Sequence, residues 1–138
     1  MALYCLDASV VLAWLLDEGL PLVDDFWESV TNDDEMICAE LLRSECTSTI
    51  REAVYDGRID LDRGTRLLQE LAGMPIRVVT IAEQFPRAFE LARRFQHRKA
   101  YDMHYLAVAE MEGAELLTVD RGLRHAANEV GVPARLLR

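Results

Sequence analysis

The sequence predicts a three-layer α/β/α domain on a mostly parallel, five-stranded sheet. Short apolar runs of strand length alternate along the chain with longer segments of helical periodicity. The 138 residues suit a single domain, 1–138, with no repeat, low-complexity tract or linker. With 51% hydrophobic residues, such a chain can bury about two-thirds of its unfolded surface around one core.

The first strand is predicted in Ala2 to Leu6, an apolar run ended by Asp7-Ala8-Ser9. Val10 to Leu16 reads as helix, so Asp7 falls where a central strand hands over to a helix, the edge at which open α/β sheets bind ligands. Capping of that helix is the plainer role for Asp7 or Ser9 taken alone. Pro21 to Asn32 is a second predicted helix, with Leu22, Val23, Phe26, Trp27 and Val30 at core spacing. Asn32-Asp33-Asp34 reads as a solvated turn before a short second strand, Glu35 to Cys38.

Ala39 to Tyr55 is expected to be helical, with Leu41, Leu42, Cys46, Thr49, Ile50, Ala53 and Val54 on one apolar arc. Glu40 points away from that arc and Glu52 lies near it, further from the sheet edge. Glu45 falls inside the arc, about two turns into the helix. A glutamate on a buried face is rare unless paired, so an internal salt bridge, for example to Arg51, is the alternative to a functional role. Asp60 or Asp62 starts another helix, whose face is Leu61, Leu67, Leu68 and Leu71 and which Gly73-Met74-Pro75 ends. Two helices in succession break the alternation and suggest a projecting clip for dimerisation or partner binding.

Ile76 to Ile81 is a β-branched third strand. The helix Glu83 to Gln96 follows, with Pro86 tolerable only in its first turn. Arg93, Arg94, His97, Arg98 and Lys99 close it; they either complement the helix dipole or anchor phosphate. A helix from Tyr101 to Met111 stops at Gly113, and Leu116 to Val119 is a buried strand. These two arms are antiparallel and similar in length, which returns Asp102 close to Asp120. Asp102 shares a helical face with Leu106, Ala109 and Gly113, so it belongs at the rim of the packed side unless it only caps the helix. Arg121 to Val130 is the last helix, and Ala134 to Leu137 follows as an edge strand.

Asp7, Glu45, Asp102 and Asp120 thus all fall at one edge of the predicted sheet. Unpaired carboxylates gathered there repel one another and raise their pKa values unless a hard cation neutralises them. Oxygen-only ligation points to Mg²⁺ or Mn²⁺. The net charge of −9 argues against a protein that coats nucleic acid, but acidic metal ligands inflate that figure. It also suits a basic protein partner. Three cysteines, Cys5, Cys38 and Cys46, lack zinc spacing and suggest a reduced, cytoplasmic chain. The apolar run after Asp7 is too short to span a bilayer, so no membrane association is expected.

Leu6-Asp7-Ala8-Ser9, Glu45, Tyr101-Asp102 with Tyr105 to Ala109, and Thr118-Val119-Asp120 resemble the PIN-domain family. The small single-domain form is similar to the VapC ribonuclease toxins of toxin–antitoxin pairs. The resemblance implies the sheet order 3-2-1-4-5 and a Mg²⁺- or Mn²⁺-dependent endoribonuclease. It further implies one or two ions, an RNA substrate, a cognate antitoxin and a homodimer. Asp7, Asp102 and Asp120 would hold the ion, with Glu45 a direct or water-mediated ligand. Ser9 and Thr118 would support a ligand or phosphate, and Arg94, Arg98 and Lys99 the RNA backbone. Two departures stand out: Ala39 replaces a common proline, and Leu123 offers no further acid after Asp120. The alternatives are an aspartate-dependent phosphatase, which would want a second acid where Ser9 stands, and a non-catalytic interaction domain.

Overall fold

The computed structural model describes residues 1–138. Its strands are β1 (Leu3–Leu6), β2 (Glu35–Ala39), β3 (Ile76–Val79), β4 (Glu115–Thr118) and β5 (Ala134–Leu136). They form one sheet in the order β3-β2-β1-β4-β5, and every pairing is parallel. The register sets Cys5 beside Ile37 on one side and Leu116 on the other. All three are fully buried, as expected for a central parallel strand covered on both faces.

The helices are α1 (Ala8–Leu15), α2 (Pro21–Ser29), α3 (Leu42–Tyr55), α4 (Leu61–Gly73), α5 (Gln84–Arg94), α6 (Tyr101–Glu112) and α7 (Arg121–Glu129). α1 packs against α2, α3 and α4, whereas α6 packs against α5 and α7. Right-handed crossovers run from β1 to β3 in one direction and from β3 through β4 to β5 in the other, so the two helix groups cover opposite faces. β1 and β4 flank the point where that direction changes.

α6 is the helix packed most closely on the sheet. Met103 and Tyr105 through Ala109 are fully buried, and Ala107 and Ala109 are small enough to let its backbone approach β1, β2 and β4. Truncating a fully buried neighbour such as Leu106 to alanine would cost ~2–5 kcal/mol. Gly113, at φ 66°, ends the helix in the left-handed conformation that glycine adopts without steric cost.

Several boundaries differ from the sequence reading. α2 stops at Ser29, three residues short of the expected Asn32. Asp34 accepts hydrogen bonds from Thr31 N (3.1 Å) and from Ala2 N (3.0 Å), holding the chain in a turn. The acid read as merely solvated therefore ties this loop to the start of the protein. α3 begins at Leu42 rather than Ala39, because Ala39 completes β2 opposite Val79. On α4, Leu67 and Leu71 are buried, but Leu61 is 70% and Leu68 39% exposed. Gly64 takes the expected leucine's place, packed directly against Val54 of α3.

Candidate active site

Asp7 follows the last residue of β1 and caps α1, accepting a hydrogen bond from Val10 N at 3.3 Å. Capping does not exhaust it. Its other carboxylate oxygen accepts from Thr118 Oγ1 at 2.5 Å, and Ser9 Oγ donates to the oxygen that caps the helix. Ser9 Oγ also accepts from Val119 N at 3.1 Å, and Thr118 Oγ1 accepts from Asp120 N at 3.0 Å. The two hydroxyls thus stitch the ends of β1 and β4 together around one carboxylate. Asp7 is only 5% exposed. Burial pushes its pKa up to about 6, the hydroxyl and amide hydrogen bonds offset part of the rise, and the Asp102 charge adds to it.

Glu45 stands in the first turn of α3, because that helix starts later than the periodicity suggested. It is therefore nearer the sheet edge than the two turns expected. Neither Arg51 nor any other cation pairs with it. The Arg51 guanidinium lies 5.4 Å from the Tyr55 ring centroid instead. Burial, then the charges of Asp102 and Asp7, push Glu45 up to about 7. No hydrogen bond joins Glu45 to Tyr105: Glu45 Oε1 and Tyr105 OH are both buried without a partner.

Asp102 is the second residue of α6. Ala100 holds the capping position, and no side chain caps the helix there, so the capping role is not realised. Burial and the charge of Asp120 raise the Asp102 pKa, and His97 partly counters them. Asp120 caps α7 through one oxygen, which accepts from Gly122 N (2.7 Å) and Leu123 N (3.2 Å). The protein's salt bridges join Arg58 to Asp56, Arg77 to Glu35, Arg87 to Glu110, Arg93 to Glu90 and Arg135 to Glu115. None of the four site acids is neutralised in this way.

A cleft of about 440 Å³ opens beside Glu45 and Asp102, lined also by Leu41, Ser44, Ser48, Thr49 and Tyr101. Its donors to any ion would be hard carboxylate oxygens, which suit Mg²⁺ or Mn²⁺, and the orphaned Glu45 Oε1 is the kind of buried acceptor that a cation satisfies. No three acidic, histidine or cysteine side chains stand close enough together to hold a metal ion as placed. Asp7 is directed at Ser9 and Thr118, and Asp120 at the start of α7.

A sequence model of the PIN domain matches residues 4–129. The chain belongs to the PIN domain family. Solved structures with this fold include VapBC2 from Rickettsia felis bound to a promoter DNA fragment, at 11% identity, TM-score 0.73 and 99% coverage of each chain. VapC20 from Mycobacterium tuberculosis, described as a sarcin–ricin loop cleaving toxin, has 16% identity and TM-score 0.69 over 89% of this chain and 94% of its own. A toxin–antitoxin complex from Klebsiella pneumoniae has 16% identity and TM-score 0.58 over 87% of each chain. No curated protein sequence matches the chain.

Within this PIN domain, Arg94, Arg98 and Lys99 are exposed on the approach to Asp102, outside every salt bridge. Arg93 is held by Glu90. Sequence reasoning quoted Tyr105 only as part of a motif and gave it no role. Its position three residues after Asp102, on the same helical face, was the available signal. Cys5, Cys38 and Cys46 are buried free thiols. No helix is long and apolar enough to cross a membrane.

Proposed function

We propose that the protein is a divalent-metal-dependent endoribonuclease, the toxin of a toxin–antitoxin pair. The observation that carries this is the gathering of four acids from four elements, none of them salt-bridged to a lysine or arginine. Asp102 raises both Asp7 and Glu45, Asp7 raises Glu45, and Asp120 raises Asp102. Asp7, Asp102 and Asp120 would hold Mg²⁺ or Mn²⁺, with Glu45 a direct or water-mediated ligand. Such an ion, when bound, activates water and neutralises charge on the scissile phosphodiester. Ser9 and Thr118 fix the Asp7 carboxylate in orientation. Glu45, with its pKa near neutrality, can take a proton from an attacking water. Arg94, Arg98 and Lys99 hold the RNA backbone.

The fold shared with a sarcin–ricin loop cleaving toxin supports an RNA substrate, and that shared with a toxin–antitoxin complex supports an antitoxin partner. A homodimer and residence in the reducing cytoplasm complete the proposal, the latter in keeping with three free thiols. The phosphatase alternative has less support: the residue two beyond Asp7 is a serine engaged with that carboxylate rather than a second acid.

The test is cleavage of total RNA by purified protein with Mg²⁺, with Mn²⁺ and with EDTA. Discrete cleavage with metal, abolished by EDTA and lowered about 100-fold or more in Asp102→Asn, is expected. Equal cleavage by Asp102→Asn and the natural protein would overturn the assignment.

A further inference from the structure

We propose that the cleft beside Asp102 seats an unpaired nucleobase of single-stranded RNA, with Tyr101 as the stacking surface and Ser44 and Ser48 as polar contacts. This rests on the ribonuclease reading above and extends it to how the substrate is held. Tyr101 is the first residue of α6, directly before Asp102, and forms one wall of the cleft. It is 60% exposed. A large aromatic ring left open to solvent beside the acids gives up burial that most aromatic side chains obtain. Lys99 Nζ stands 5.9 Å from its ring centroid, placing a positive charge beside the ring.

The opposite wall is one face of α3. Leu41, Ser44, Glu45 and Ser48 fall at helical spacing, with the two serines exposed. Elsewhere on α3 a hydroxyl is used internally: Thr47 donates to Arg43 O at 2.7 Å. The cleft-lining hydroxyls of Ser44, Ser48 and Thr49 have no partner in the protein. Each can both donate and accept, which matches base edges and ribose 2′-hydroxyls.

No lysine or arginine lines the cleft. Within it, phosphate would be met only through an ion held at Glu45 and Asp102, and the remaining lining offers a ring and hydroxyls. The cations lie outside, at Arg98 and Lys99 on the loop that leads to Tyr101. This division suits a strand whose backbone follows the basic loop while one base turns inward onto the aromatic ring. A paired base cannot make that turn without unstacking.

The experiment measures binding of a short fluorescein-labelled single-stranded RNA by anisotropy, in Mn²⁺, on an Asp7→Asn background that leaves the RNA intact. Tyr101→Ala should weaken binding about tenfold, while Tyr101→Phe and Tyr101→Trp should retain it. The Tyr101→Ala loss should vanish when the RNA is annealed to its complement. Ser44→Ala with Ser48→Ala should reduce the preference for RNA over DNA of the same sequence. Tyr101 is exposed, and unchanged thermal unfolding will show that its variants fold. Equal binding by Tyr101 and Tyr101→Ala proteins, with the RNA still cut by the natural protein, overturns the stacking role alone. If the natural protein neither cuts the RNA nor binds it in either background, both readings fall.

Discussion

Thr118 Oγ1 donates a 2.5 Å hydrogen bond to Asp7 Oδ2 across 111 residues of sequence. It joins the last residue of β4 to the residue that follows β1, within the buried edge between the two strands. Thr118→Val keeps the shape and removes the donor. One carboxylate oxygen then stays buried with no partner, at a cost of ~1–3 kcal/mol, while Thr118→Ser loses little of this bond. Urea denaturation of both variants at neutral pH checks the difference.

The acids act against the fold while no cation is bound. Asp102 raises the pKa of both Asp7 and Glu45, so it disfavours the charge on each. Asp102→Asn should therefore stabilise the metal-free protein by ~1 kcal/mol while weakening Mn²⁺ binding at least about tenfold. Thermal unfolding in EDTA and calorimetric titration with Mn²⁺ give the two signs. A destabilised variant would show that Asp102 serves the fold first.

Acidity should help the metal-free protein. Folding raises Asp7 from 3.8 to about 6. The folded chain thus holds this proton more tightly than the unfolded one. The resulting stability is complete below the unfolded value and is lost as pH rises through the folded one, a change of ~3 kcal/mol for this group. Glu45 acts in the same direction, with its loss extending towards pH 7. In EDTA, the urea midpoint should fall as pH rises from ~4 to ~7. Mn²⁺ at a hundred times its dissociation constant should restore ~2.7 kcal/mol, most effectively at the upper end of that range.

Gly64 offers a test away from the acids. A Cβ placed there would sit 2.6 Å from Val54 Cγ2, a branched side chain with little freedom to yield. Alanine gains ~1 kcal/mol of helix propensity over glycine, whereas the overlap costs ~1–3 kcal/mol. Gly64→Ala is expected to lose ~1 kcal/mol net by thermal unfolding. It should leave RNA cleavage unchanged.

β1 and β4 were legible because each carries a short apolar run that gives way to a polar turn, with Asp7 one residue beyond β1 and Asp120 two beyond β4. Helical periodicity also placed Asp102 at the rim of a packed face, with Leu106 and Ala109 buried below it. The depth of Glu45 was misread because β2 extends through Ala39, whose pairing with Val79 no local pattern reports. The buried role of Gly64 was equally hidden. Leucine spacing nominated Leu61 and Leu68, but two helices that approach this closely meet through their smallest residue. Tyr105 escaped notice because tyrosine on a buried helix reads as packing, and only the assembled fold reveals that its hydroxyl and Glu45 Oε1 both lack partners.

β1 lies between β2 and β4, but β2 follows it closely in sequence whereas β4 begins only at Glu115. During synthesis β1 can pair with β2 early, yet its other edge stays bare until β4 has been made. Asp7 obtains its threonine partner, and its acidic neighbours on α6 and α7, only then. A chain interrupted before β4 thus lacks Thr118, the hydroxyl that holds Asp7 from the neighbouring strand, and Asp120 with it.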